Sequence, residues 1–541
     1  MKRYSMLVLC AMLLALVVPV GAQGDVPTIE VSDQVSLDAT VTIDRAFSEG
    51  PGFIVIHAAN ADGSFGADIG HRWLNSGWNF NVQVPIDDTV TTPTLFAMLH
   101  SDTNEIGTYE FGTVEGADGP VSVDGTMVNP SFRVSMLHAF DQFVANNQVR
   151  VHHVVVDQPT WVVIHADADG GPGPVLGQTL VNPGANADVM VDLTGAATPV
   201  LWPMLHQDTG EAGVYEFGTV DGADLPLAAG DQTAVLPIWT VPHVRVDDQV
   251  VLHGEGFDMT GMEGTTPTLV AQSVLSQGLG FLVIHADANG APGPDIGHAA
   301  VPDGLSTDVA IELNADGLTP VVWPMLHQDT GTVGTYEFGT VEGADPPVIA
   351  DGNPLVFAVN AAPSLVLEDQ ALEGNAFRIA SALIDAPGWI AVHSSVDGAP
   401  GPVIATFPLV PGLTKNIEIQ VDPAQAGAQV FPMLHYDTGA PGVYEFGTVD
   451  GADNPVSVAG NVVVGPVNFG GGEGAAAEPT GLDGNALVSE RCTVCHSRER
   501  IDNADKDEAG WTETVDRMIS YGAQLNAEER QAVIDYLVAT H

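Results

Sequence analysis

Between residues 26 and 467 the apolar positions fall in short runs with the period of β-strands. Trp161-Val162-Val163-Ile164-His165 is a nearly continuous apolar run, and Ala187-Asp188-Val189-Met190-Val191-Asp192-Leu193 alternates apolar with polar residues. The first pattern suits a strand covered on both faces, the second a strand with one wet face. Asp-Gly and Pro-Gly pairs separate the runs and supply the turns. No 3.6-residue periodicity is evident there. After residue 480 the pattern changes. Trp511, Val515, Met518 and Ile519 stand at i, i+4, i+7 and i+8, which predicts an amphipathic helix ending near Gly522. A second helix is predicted from Asn526 as N-cap, with Glu529 three residues on, through Val533, Ile534, Leu537 and Val538. A short helix from Asn485 leads into Cys492.

The β-patterned region repeats itself. Met98-Leu99-His100, Met204-Leu205-His206, Met325-Leu326-His327 and Met433-Leu434-His435 each precede a Tyr-Glu-Phe phrase and a Gly-Ala-Asp turn, the turns ending at Asp118, Asp224, Asp345 and Asp453. A second histidine closes an apolar run upstream in every copy: His57, His165, His285 and His393. Such a period marks a tandem array. Several short strands per ~100 residues predict a two-sheet, immunoglobulin-like sandwich. The expected architecture is mainly β: four sandwich repeats over residues 26–134, 135–242, 243–364 and 365–467, standing in series like beads. The third copy is longer around Gly254 to Pro267. Residues 468–480, rich in Gly and Ala, read as a flexible linker to a small all-α domain at 481–541.

Charge and cysteine usage narrow the setting. Residues 1–22 have a basic start, an apolar core and a Val-Gly-Ala end, the pattern of an export signal. No later stretch has the ~20 apolar residues of a membrane helix. The chain is therefore expected to be exported, to the periplasm, the cell surface or the medium. Net charge is -54, and between residues 23 and 480 seven basic residues face 57 acidic ones. Such a surface repels nucleic acid and anionic membranes, and suits high salt, divalent cations or a cationic partner. Beyond the signal only Cys492 and Cys495 occur, which excludes a disulfide framework.

Those two cysteines belong to Cys492-Thr493-Val494-Cys495-His496, the C-x-x-C-H attachment sequence of c-type haem. Both thiols become thioethers and His496 reaches the iron. A zinc half-site is disfavoured because no second Cys or His pair follows. Met518, the sole methionine after Met433, is the candidate second axial ligand. The competing reading makes it a core filler. Gly484-Asn485-Ala486-Leu487, the haem motif, Gly510-Trp511, Val515-Asp516-Arg517-Met518, Gly522-Ala523 and Tyr536-Leu537 together resemble the monohaem class I cytochrome c domains associated with quinohaemoprotein dehydrogenases and sulfite-oxidising enzymes. The resemblance implies that Met518 is the distal ligand. It covers about 60 residues, and no quinone or molybdenum domain accompanies it. The repeats, with their I-H-A-D and M-L-H-x-D-T-G phrases, are similar to an uncharacterised family of secreted β domains from saline habitats, which implies no activity.

In copy two, His165 and His206, with Asp208 or Glu216, are candidates for an imidazole–carboxylate metal site. The other reading is a hydrogen-bond cluster that pins turns. Asp167-Ala168-Asp169-Gly170 and Asp287-Ala288-Asn289-Gly290 suggest calcium loops, but position twelve, counted from His165, is Leu176, so plain turns are expected. No nucleophile elbow, carboxylate pair or phosphate loop is evident. The reading is an electron carrier rather than a catalyst, holding one covalent haem c and serving an unidentified redox partner protein. The alternatives are an envelope adhesin or metal-binding array, with divalent cations in the repeats, and an oxidoreductase whose metal centre lies in the repeats.

Overall fold

Alternation and continuous runs become strands as expected, with about half the chain in sheets. The computed structural model describes residues 26–469, except 169, 231, 258–264, 351 and 373, together with 487–488, 501, 506, 510–512, 514–515 and 527–540. The second repeat shows the plan. Its strands are β1 (Ser131–His138), β2 (Gln148–Val156), β3 (Thr160–Ala168), β4 (Gly171–Val181), β5 (Gly184–Asp192), β6 (Val200–Gln207) and β7 (Ile238–Trp239). One sheet has the order β1-β2-β5 and the other β4-β3-β6-β7. Val149, Val151, Val189 and Val191 of the first sheet meet Val162, Ile164, Leu201 and Leu205 of the second in one buried core. The third and fourth repeats have the same three-strand and four-strand sheets. A strand's period of two puts Trp161, Val163 and His165 on the face of β3 away from this core.

The repeats are joined more closely than beads. The first half of β1 pairs with the strand Thr94–Ser101 of the first repeat, and its second half pairs with β2. One strand therefore serves two sandwiches. Asp141, 1% exposed, ties the second repeat to the third: it accepts Arg245 at 2.7 and 2.9 Å and His243 at 2.8 Å. The longer third copy uses its extra segment to reach the fourth, where the Gly254 N–H donates to Asp385 at 2.8 Å.

The array also folds back, contrary to a simple series. Phe80 packs on Phe407 at 5.8 Å, the Asn75 amide donates to the Leu409 carbonyl at 2.9 Å, and the Asn81 amide to the Lys415 carbonyl at 2.6 Å. The cause lies in one strand, Gly77–Pro85. It begins Gly-Trp-Asn-Phe where the other copies have Gly-Ala-Asn-Ala, Gly-Leu-Ser-Thr and Gly-Leu-Thr-Lys. Only the first repeat offers aromatic residues there for the fourth to cover.

Residue Asn468, placed in the linker by sequence, belongs to the last strand of the fourth repeat, and Phe469 packs on Phe377. The fourth repeat therefore extends at least to residue 469. In the tail, helix α1 (Ala527–Thr540) is described, with Val533, Ile534 and Leu537 buried and Val538 exposed. The expected signal segment and most of the expected all-α domain lie outside the described residues.

Asp141 supplies a pH test. Burial pushes its carboxyl up, but the Arg245 and His243 hydrogen bonds and charges outweigh this and hold it far below the ordinary carboxylate range. A depressed folded value means the stabilisation is complete above the unfolded value near 4 and is lost as pH falls towards the folded one. The junction between repeats two and three should therefore lose about 2 kcal/mol in strong acid. Limited proteolysis near residue 240 should accelerate below pH 4, and Asp141→Asn should remove most of that acid dependence.

Candidate functional site

The Met-Leu-His phrase lies on β6, and the chain that follows it folds over the outer face of the four-stranded sheet. In the second repeat this cap spans residues 208–226. Its keystone is Asp224, fully buried and in the left-handed region at φ 48°. Its carboxylate accepts the Thr209 N–H at 2.8 Å and the Glu216 N–H at 2.5 Å, while its own N–H donates to the Thr209 hydroxyl at 2.8 Å. Asp118, Asp345 and Asp453 take the same left-handed conformation and accept the corresponding backbone donors. Asp tolerates this conformation better than most residues because its short side chain bonds locally. The turn legible in each Gly-Ala-Asp is thus the point on which the cap is hung.

Beneath the cap the two histidines of every repeat are brought together. Ring centroids are 6.2 Å apart for His57 and His100, 5.6 Å for His165 and His206, 5.9 Å for His285 and His327, and 5.9 Å for His393 and His435, all near-parallel. All eight rings are over nine-tenths buried. His206 Nδ1 donates to the Asp224 carbonyl at 2.7 Å, and His165 Nδ1 to the Gly173 carbonyl at 2.7 Å. The other three repeats repeat both bonds. A carbonyl oxygen only accepts, so each Nδ1 carries the proton, and a ring that is neutral turns a bare Nε2 lone pair inward.

The electrostatics favour neutral rings. Burial pulls the His206 imidazole down to about 4, against the opposing bond to Asp224. Burial likewise lowers His100, His165, His327 and His435. Tyr215, beside His206, is pushed up to about 12 by burial and by the charge of Asp224.

The carboxylates suggested as co-ligands are occupied elsewhere. Asp208 accepts the Trp161 indole at 3.2 Å and the Gly213 N–H at 3.0 Å, and Glu216 accepts the Glu211 N–H at 2.7 Å. They order the cap rather than face the imidazoles. Asp167 and Asp287 accept the Trp202 and Trp323 indoles at 3.0 and 2.9 Å, and each also holds a turn through a glycine N–H. Sequence reasoning missed these tryptophan anchors, although Trp202 and Trp323 recur at one position of the repeat.

It also missed a cluster where the first two repeats meet. Asp88 accepts His138 Nδ1 at 2.6 Å and lies 3.1 Å from His153 Nδ1 and 3.8 Å from His152 Nε2. These residues belong to one junction rather than to the repeating phrase, so no periodicity announces them.

Cys492, Cys495, His496 and Met518 lie outside the described residues. Around them in sequence, Leu487, Val488, Ile501, Trp511, Val515, Val533, Ile534 and Leu537 form one apolar cluster. A domain of about 60 residues is small for a self-sufficient core, which suits one completed by a large apolar group. The donor set of two thiols and an adjacent imidazole fits haem chemically.

Four stretches, residues 27–135, 135–241, 256–361 and 363–469, match the family model described as Domain of unknown function (DUF7282). Residues 482–541 match that described as Quinohemoprotein amine dehydrogenase A, alpha subunit, haem binding. A haem-binding domain thus follows the repeated β domains. Cell surface glycoprotein 1 of Haloarcula hispanica is 35% identical over 118 residues, covering 21% of this chain and 12% of its own length. Cell surface glycoprotein 2 of the same organism is 33% identical over 116 residues, with the same coverage. The match spans about an eighth of each of these relatives. Among solved structures, a tetra-tandem repeat from the extending region of a large adhesion protein aligns with 82% of this chain and 100% of its own, at 10% identity and TM-score 0.13. No helix among the described residues is long and apolar enough to cross a membrane.

Proposed function

We propose, from the premise that this chain belongs to the family described as Domain of unknown function (DUF7282) and ends in a haem-binding domain, that it is an exported, surface-associated electron carrier. The observation that carries this reading is Cys492-Thr493-Val494-Cys495-His496 inside the segment that matches the haem-binding model. Cys492 and Cys495 would hold one haem c covalently, with His496 and Met518 as axial ligands of a class I arrangement. The haem supplies a one-electron couple when bound. With His496 and Met518 both holding the iron, a substrate would find no open position there, which favours a carrier over a catalyst.

The repeats then act as a platform. The strand shared by the first two repeats and the fold-back contact between the first and fourth make them a braced support, and the acidic exterior repels anionic surfaces while admitting a cationic redox partner. Similarity of the repeats to two cell-surface glycoproteins supports placement at the envelope. It also supports a second reading in which envelope binding is the main task and the haem an appendage.

Ligation by Met518 gives a direct test. The reduced full chain should fail to bind carbon monoxide, because the sixth position is filled, and should show the near-infrared charge-transfer band of sulfur-ligated ferric haem. Met518→Ala should lose that band and take up carbon monoxide at once. A wild-type protein that binds the gas as readily as the variant would count against a simple carrier.

A further inference from the structure

The histidine pairs remain unexplained by an electron carrier, and they pose a physical problem. Among the described residues, the Nε2 atoms of seven of the eight rings are buried without a hydrogen-bond partner. The eighth, in His206, lies 3.2 Å from the Met204 sulfur. Native interiors rarely leave buried polar atoms unpaired, and an exception calls for an unseen partner. Here the exception recurs in every repeat, with the same tautomer fixed by the same kind of backbone bond.

The strand register identifies the third member. In the second repeat His206 stands opposite Trp161, Met204 opposite Val163 and Trp202 opposite His165. On the face under the cap, Met204 thus lies between its own strand's His206 and the His165 of the neighbouring strand. Met98, Met325 and Met433 hold the same register and are equally buried. Each repeat therefore gathers two bare imidazole nitrogens and a thioether under a roof of Tyr and Phe.

This donor set has a preference. A ligating imidazole characteristically donates its other N–H to a carbonyl or carboxylate, which is what all eight rings do. Neutral nitrogen with soft sulfur selects a soft monovalent ion over calcium, magnesium or zinc. The second repeat is the plainest case, because in the first and third the charges of Asp68 and Asp295 also bear on His100 and His327. We propose that each repeat binds one copper(I) ion through the two histidine Nε2 atoms and the methionine sulfur, as His165, His206 and Met204 do in the second. The site is neutral before it fills, and the acidic exterior concentrates cations near it. The rival explanation is a buried water donating to both nitrogens, with the methionine as packing.

The test uses the full chain with its haem in place, under anaerobic reducing conditions, titrated with copper(I) against a chromogenic chelator. About four equivalents should be withheld from the chelator, and X-ray absorption should show nitrogen and sulfur around the copper. A variant with Met98, Met204, Met325 and Met433 all changed to Leu keeps side-chain volume, and its far-ultraviolet circular dichroism should match wild type. Its copper(I) affinity should fall at least tenfold and the sulfur signal should vanish. Zinc provides the control: Asp88, His152 and His153, whose donor atoms lie within 4.8 Å of one another, offer one harder site that the methionine changes do not touch. Methionine-sensitive uptake of more than one equivalent supports the proposal. Uptake of one equivalent or none, or uptake that the leucine variant retains in full, overturns it and leaves the water-bridged pair.

Discussion

Changing Cys492 and Cys495 together to alanine should remove all haem that survives denaturation. Each thioether needs a thiol, and beyond residue 22 no other cysteine can substitute. The loss should extend beyond colour. A domain of about 60 residues commonly needs a disulfide, a metal or a prosthetic group to stay folded. Residues 481–541 of the variant should therefore be cleaved rapidly by a nonspecific protease while the repeats persist. Haem staining of a denaturing gel, beside a proteolysis time course, reads both effects. Noncovalent haem with a stable tail would mean that the attachment serves retention rather than folding.

Asp224→Ala should open the cap of the second repeat. The substitution removes a buried carboxylate that accepts two backbone N–H groups and leaves both donors without it. Each charge-assisted bond contributes about 1.5–3 kcal/mol, so about 4 kcal/mol is expected, with a further penalty for alanine in the left-handed conformation. Asn retains that conformation and one acceptor oxygen and should cost about half as much. Because a four-repeat array need not unfold in one step, a global midpoint is a poor readout. Hydrogen exchange is local: protection of the Thr209 and Glu216 amides should fall about a thousandfold, since 1.4 kcal/mol is one decade. Amides of β2 should change little.

Much of this was legible in the sequence for a definite reason. Strands announce themselves where one face is buried, and the four Met-Leu-His phrases gave the repeat its period. The pairing of His165 with His206 was inferable once their strands were taken as neighbours. What the sequence concealed depends on register and on loops. Asp208 and Glu216 sit close to His206 in the chain, yet each turns to a backbone donor of the cap, a choice set by loop geometry that no periodicity encodes. The fold-back of the first repeat on the fourth rests on Phe80, with Asn75 and Asn81 beside it, in a stretch that looks ordinary in isolation. Asp141 and Asp88 are visible only as single acids in an acidic chain until the neighbouring repeat brings Arg245 or the histidines to them. Their importance arises from burial at junctions, which residue type alone does not reveal.

The most direct test is a potentiometric titration of the full exported chain, produced with c-type maturation and followed by absorption, after its intact mass has been recorded. A mass increase of one haem and a single reversible one-electron transition of a haem c spectrum are predicted. A chain exported without covalent haem, or one whose haem cannot be cycled reversibly, would contradict an electron carrier and return Cys492 and Cys495 to thiol or metal chemistry.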